Sequence, residues 1–299
     1  MQAPTSFAVP SISPSAPAPA LSLWGSRLAA TLAFIALWVG LGFGLHLGPN
    51  AYIVLGVPLA IAFQRWVARA PLRAAWVQSA PPLRIDRRTV TLAALVAIGP
   101  AKAMLDAIHV REWGTLVSAV AATTLGSLGV AYTLRNMGRA GLARHLKSAA
   151  LAALPGIAIM ILAAVAARLA GKLVLPAPRD AAWTFVDSLA QYVPATFAVE
   201  EVVFRGVLDA HVAAVAPGRR WRVATTVILC AAWGLWHAPV VYSQGTPPMP
   251  FAALIARLLL VHIFAGLTLT YAWRRTGSLF ASGVAHALVD AVRNALFLA

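Results

Sequence analysis

Long apolar blocks alternate with short arginine-bearing stretches along nearly the whole chain. A helix needs roughly 20 mostly apolar residues to cross a bilayer. In lipid, only helices and closed barrels satisfy every backbone polar group. The blocks predict nine spans, over 28–47, 51–64, 89–105, 114–134, 149–170, 184–207, 222–238, 251–273 and 278–298. The second is the shortest; it contains Pro58 and ends at Gln64 and Arg65. The expected fold is all-α, a polytopic helical membrane protein with about eight to nine transmembrane helices. Residues 1–26 are rich in Pro, Ser and Ala and carry no charge. They are expected to form a disordered tail, and they lack the positive n-region of a signal peptide. The expected organisation is a tail over 1–26, N-terminal transmembrane helices over 27–183, and a transmembrane core over 184–299. No internal repeat suggests a transporter built from inverted halves.

Composition agrees with the pattern. Of 299 residues, 60% are hydrophobic and 11% are charged, and mean hydropathy is +0.78. Soluble domains average about 25% charged residues, so an ordinary soluble enzyme is excluded, and so is disorder over most of the chain. The net charge of +15 at first suggests a nucleic-acid binder. With alternating spans and a cytoplasmic N-terminus, the basic residues sort by side. Arg27, the run from Arg65 to Arg88, the run from Arg135 to Lys147, Arg219, Arg220, Arg222, Arg274 and Arg275 fall inside. Only Lys102, Arg111, Arg168, Lys172 and Arg179 fall outside. That is the positive-inside pattern. It assigns the charge to topology and anionic lipid, with no nucleic acid and no basic-aromatic groove. The expected location is the cell membrane, multi-pass. The single cysteine, Cys230, rules out an intrachain disulfide and a cysteine-based metal site.

Chemistry should lie where polarity is expensive. Ionisable groups within spans cost several kcal/mol unless paired or hydrated. In the sixth block Glu200 and Glu201 are adjacent and Arg205 follows. Glu201 and Arg205 are spaced i,i+4 and can pair on one helix face, while Glu200 points about 100° away. This leaves one carboxylate neutralised and one free, or else a structural ion pair beside a spectator. In the seventh block Trp233 and His237 are spaced i,i+4; a lone intramembrane histidine also serves as a helix–helix hydrogen bond. In the ninth, His286 and Asp290 share a face, and a carboxylate one turn from an imidazole fixes its tautomer. Ala281, Ser282, Gly283, Ala285 and Ala287 would let a neighbouring helix approach. His262 has no carboxylate at helical spacing and reads as structural, as do Asp187, Asp209 and His211 near block ends.

Together, Glu200-Glu201-x-x-x-Arg205, Trp233-x-x-x-His237 and His286-x-x-x-Asp290 resemble the three motifs of the CPBP intramembrane proteases. This is the CAAX protease and bacteriocin-processing (ABI) family, related to type II CAAX prenyl endopeptidases. Thr276-Gly277-Ser278-Leu279 ahead of the last histidine is also similar. The resemblance covers roughly 184–295. Trp233 replaces the family's usual Phe, and Asp290 stands where relatives often carry Asn. An amide can donate to an oxyanion, whereas an ionised carboxylate only accepts, so Asp290 must be protonated, orient His286 or bind a cation.

The resemblance implies a catalytic core over 184–299 that hydrolyses a peptide bond in a membrane-associated peptide or protein. It implies catalytic roles for Glu200, Glu201, Arg205, His237, His286 and Asp290. Glu200, with His237, would take a proton from the attacking water. His286 would donate to the oxyanion, oriented by Asp290, and Glu201 and Arg205 would hold the helix and the charge balance. No cofactor is required on this reading. A zinc-dependent version would use Glu200, His237 and His286 as ligands, although no HExxH is present. A proton-relaying transporter, a bis-histidine haem protein and a non-catalytic scaffold are the other readings. Straight alternating spans would put Glu200 and His286 toward the cytoplasmic ends but His237 toward the outer end. A tilted or shorter helix would be needed to bring them together.

Overall fold

The computed structural model describes residues 18–79, 81–243, 245 and 249–298. Among these residues every regular element is helical, and one isolated antiparallel bridge joins Val77 to Ser278. In chain order the α-helices are α1 (Ala18–Gly44), α2 (Pro49–Ala62), α3 (Arg87–Ala97), α4 (Ala101–His109), α5 (Trp113–Arg135) and α6 (Arg139–Leu169). They continue as α7 (Pro178–Ala198), α8 (Ala210–Ala213), α9 (Arg219–Trp236), α10 (Ala238–Ser243), α11 (Phe251–Thr276) and α12 (Leu279–Phe297). Two π-helical turns, Phe63–Val67 and Val202–Asp209, and a 3₁₀ turn, Leu72–Ala75, complete the set.

The all-helical expectation holds, and the expected count of eight to nine spans is not confirmed. Six helical stretches are long and apolar enough to cross a bilayer, among them Pro49–Val67, the short second block. A seventh arises if α3 and α4, bent by 55° at Gly99–Pro100, count as one broken span. The expected sixth block breaks at Val199, so α7 ends before Glu200, and α12, within the expected ninth, carries His286, Asp290, Arg293 and Asn294. Helix α12 instead runs through the interior, with Leu279–Gly283, Ala285–Ala287, Asp290, Ala291 and Asn294 buried. Its small residues allow the close packing expected of them. A side chain at Gly283 would strike the Phe197 ring, and Thr196 Oγ1 donates to the Gly283 carbonyl at 3.2 Å. The outward apolar surface lies instead on helices such as α6, where Leu151, Leu162 and Leu169 are exposed.

The N-terminal boundary also moves. Helix α1 begins at Ala18, within the stretch expected as a tail, and Trp24 Nε1 donates to Thr225 Oγ1 at 2.9 Å. The rest of that stretch, residues 1–17, lies outside the described residues.

The arginine-bearing segments meet at one end of the bundle. The bridge from Val77 to Ser278 ties the segment after α2 to the α11–α12 turn. Arg135, closing α5, pairs with Asp86 at 2.6 Å, and Arg27 donates to the His211 carbonyl at 2.9 Å. At the other end Asn50 donates to Thr115 at 2.8 Å, and the Phe43 and Tyr242 rings meet at 5.9 Å. The turn into α12 is written in the local sequence. Gly277, at φ 67°, takes the left-handed conformation that closes α11, and the Ser278 hydroxyl accepts from Phe280 N to cap α12.

Candidate functional site

The site is built around an interruption in one helix. Helix α7 ends at Ala198, Val199 leaves helical geometry (φ −129°, ψ −75°), and the chain resumes as the π-helical turn Val202–Asp209. The expected sixth block was one regular helix; π turns within helices recur at functional sites. The break leaves the Phe197 carbonyl to accept from Trp76 Nε1 at 3.3 Å. Trp76 belongs to a strap, residues 71–78, lying against the π turn so closely that a side chain at Gly206 would meet the Ala75 carbonyl. Neither the break nor the strap had a signal in the apolar pattern.

The two adjacent glutamates diverge from this break. Glu200 keeps 21% of its side chain exposed and His237 keeps 22%. Glu200 Oε2 accepts from Trp233 Nε1 at 3.0 Å and lies 3.6 Å from His237 Nε2. His237 Nδ1 is 2.9 Å from the Trp233 carbonyl. A carbonyl only accepts, so Nδ1 carries the proton and a neutral ring turns the Nε2 lone pair toward Glu200. Two acceptors thus face a common space.

Glu201 is fully buried. Its Oε1 is 3.1 Å from Arg205 Nη1 and accepts from His286 Nδ1 at 3.0 Å. His286 Nε2 lies 3.5 Å from Asp290 Oδ2, and Asp290 Oδ1 pairs with Arg293 Nη1 at 2.9 Å. His286 is therefore held most tightly by Glu201, with Asp290 on its other nitrogen. It can donate to both only as the imidazolium.

Trp233 joins the two halves. Its indole N–H serves Glu200, the Arg205 guanidinium lies 4.2 Å above its ring, and His286 approaches edge-on at 5.3 Å. Helix α9 ends beside this residue, buttressed from the N-terminal half. Tyr52 donates to the Trp236 carbonyl at 3.0 Å, and Trp38 Nε1 donates to the Tyr52 carbonyl at 3.0 Å.

All six expected residues thus come together, and the difficulty of depth disappears. Glu200 lies midway along the run 178–213 rather than at its end. About 20 Å of helix follow it to the end of α8, and α9 climbs back about 27 Å from Arg219 to His237. Two further residues join the cluster. Arg293, one turn past Asp290, was readable from its i,i+3 spacing. His262, expected to be structural, stacks on His237 with ring centroids 4.1 Å apart and meets Trp233 edge-on at 4.7 Å. That approach crosses between helices and leaves no trace in spacing.

The ligand set proposed for zinc does not fit this geometry. Both His286 nitrogens face carboxylates. Among the described residues, no three of His, Cys, Asp and Glu are grouped to hold a metal ion.

Residues 181–292 match the family model of type II CAAX prenyl endopeptidase Rce1-like proteins. This segment is similar to an Rce1-like domain. It contains all six expected residues and stops one residue short of Arg293. The match supports a protease in general, and with the apolar helices a multi-pass membrane protein. No curated protein and no solved structure matches the chain.

Proposed function

We propose that this protein is an intramembrane endopeptidase that cleaves a peptide bond of a membrane-associated substrate with a water activated by Glu200 and His237. The observation that carries the reading is the pair of facing acceptors. Glu200 Oε2 and His237 Nε2 lie 3.6 Å apart, with the far nitrogen of the ring tied to a carbonyl. A water between them would donate both protons and turn a lone pair toward a substrate carbonyl carbon. Attack forms the C–O bond, and the water's proton passes to Glu200. His286 donates to the resulting oxyanion from the nitrogen facing Asp290, whose charge is taken up by Arg293. Collapse breaks the C–N bond, and the proton held by Glu200 goes to the leaving amine. Glu201 and Arg205 keep His286 and Trp233 in place. This chemistry runs without a metal.

The family description favours a prenylated carboxy-terminal peptide as substrate. The same reading places the arginine-rich end and the N-terminus in the cytoplasm. It treats 184–299 as the catalytic core and α1–α6 as its support. The test is cleavage of a farnesylated CAAX peptide by the full-length protein in reconstituted membranes, beside Glu200→Ala and with metal analysis of the active preparation. The expected result is cleavage by the wild type only. Wild-type rates from Glu200→Ala would overturn the general-base role, and stoichiometric zinc would overturn the metal-free chemistry. If the peptide is not cut, the membrane peptidomes of wild type and Glu200→Ala identify the substrate; identical peptidomes would overturn the protease reading.

A further inference from the structure

A second concavity lies at the arginine-rich end, away from the glutamate–histidine cluster. It has a volume of about 470 Å³, within the range of small-ligand sites. Its walls come from the start of α1, the segment after α2, the π turn Val202–Asp209 with α8, the start of α9 and the end of α11. Alanines 68, 70, 74, 210, 213 and 214 line it, and their short side chains leave the space open.

Three arginines line that space, Arg27, Arg222 and Arg274. They are not equivalent. Arg274 grips buried Asp209 with two hydrogen bonds, Nε to Oδ2 at 3.0 Å and Nη2 to Oδ1 at 2.5 Å. It also donates to the Arg222 carbonyl at 3.3 Å, which ties α11 to α9. Arg27 is anchored through one nitrogen on the His211 carbonyl at 2.9 Å. Neither Arg27 nor Arg222 has a carboxylate partner among the described residues. Asp209 cancels one of the three charges, so two positive charges remain at a cavity whose rim is already fixed by hydrogen bonds. Positive charge at a membrane edge is ordinary; three arginines from three helices around one cavity are not explained by that rule.

We propose that this cavity binds a phosphate group, from an anionic phospholipid headgroup or from a soluble phosphate. Guanidinium groups match phosphate oxygens in shape and charge. The cavity opens among the ends of membrane helices, where lipid headgroups lie.

Native mass spectrometry and thermal melting of the detergent-purified full-length protein test this. The probes are phosphatidylglycerol, phosphatidylcholine and inorganic phosphate. Phosphatidylglycerol is expected to be retained and to raise the melting temperature, and phosphatidylcholine to do neither. Arg27→Gln with Arg222→Gln should weaken that binding about tenfold or more, since each charge-assisted contact is strong. Arg219→Gln, which removes one charge from the same end outside the cavity, should leave it unchanged. Stabilisation by inorganic phosphate that displaces phosphatidylglycerol would identify the soluble group as the ligand; no effect of phosphate would identify the lipid. The proposal fails if neither anion binds, or if Arg219→Gln weakens binding as much as the cavity variants do.

Discussion

Glu200 and Glu201 are neighbours in sequence and opposites in surroundings. Glu200 is partly exposed and shares its space with the unprotonated nitrogen of His237. Glu201 is sealed between Arg205 and His286. One helical step separates them, and the break at Val199 delivers one to an opening and the other to the interior. A carboxylate meant to accept a proton needs access to water and an unsatisfied lone pair. A carboxylate meant to hold a scaffold needs its charge cancelled where water is absent. On the proposed function, the pair therefore divides reactivity from support.

The sharpest way to break this comparison is to remove each charge with the same amide. Glu200→Gln keeps the shape and the acceptor for Trp233 but cannot take a proton. Cleavage in reconstituted membranes should fall about 10²- to 10⁴-fold, with the melting temperature unchanged. Glu201→Gln should act on folding first. It leaves the Arg205 guanidinium buried without its counter-charge, a change that typically costs about 3–5 kcal/mol. The readout is thermal unfolding in detergent and yield of folded protein. Arg205→Met added to Glu201→Gln should recover part of that stability. If the two amide variants behave alike, the division of roles is wrong.

Much of this division was legible in the chain. Acidic and basic residues placed in apolar blocks mark themselves by their cost, and i,i+4 spacing assigned Glu201 to Arg205 and His286 to Asp290. The helical class followed from the length of the blocks. What the chain did not reveal depends on contacts between distant elements. His262 meets His237 across a helix–helix interface, and Trp76 reaches Phe197 from 121 residues away. Fewer helices than expected are long and apolar enough to cross, for a related reason. A helix such as α12, surrounded by protein, can carry His286, Asp290, Arg293 and Asn294, so its apolar content no longer reports whether it crosses.

Asp290 sharpens the comparison from the supporting side. If Arg293 draws its charge away from His286, then Arg293→Gln should let Asp290 hold the imidazole and slow cleavage about tenfold, part of the 10²- to 10³-fold loss expected for removing an oxyanion donor outright. Asp290→Asn should be tolerated, and the double variant should return most of the lost rate. The measurement is kcat for all four proteins. A double variant no better than Arg293→Gln would show that Arg293 acts through something other than Asp290.

The smallest effect is expected where the two sides meet. Trp233→Phe removes the indole N–H that Glu200 accepts at 3.0 Å and retains an aromatic face for Arg205, 4.2 Å away. The supporting side should therefore hold, with thermal unfolding close to wild type. The reactive side should lose orientation, since a hydrogen bond to a charged group contributes about 1.5–3 kcal/mol when buried and less at a partly exposed carboxylate. A fall in kcat of about tenfold or less follows, with KM little changed, because the substrate is still bound and only the base is less well aimed. Trp233→Leu removes the ring as well and should lower the melting temperature. If phenylalanine destabilises as much as leucine, the indole N–H matters to folding rather than to Glu200, and the two halves of the site are one structural unit.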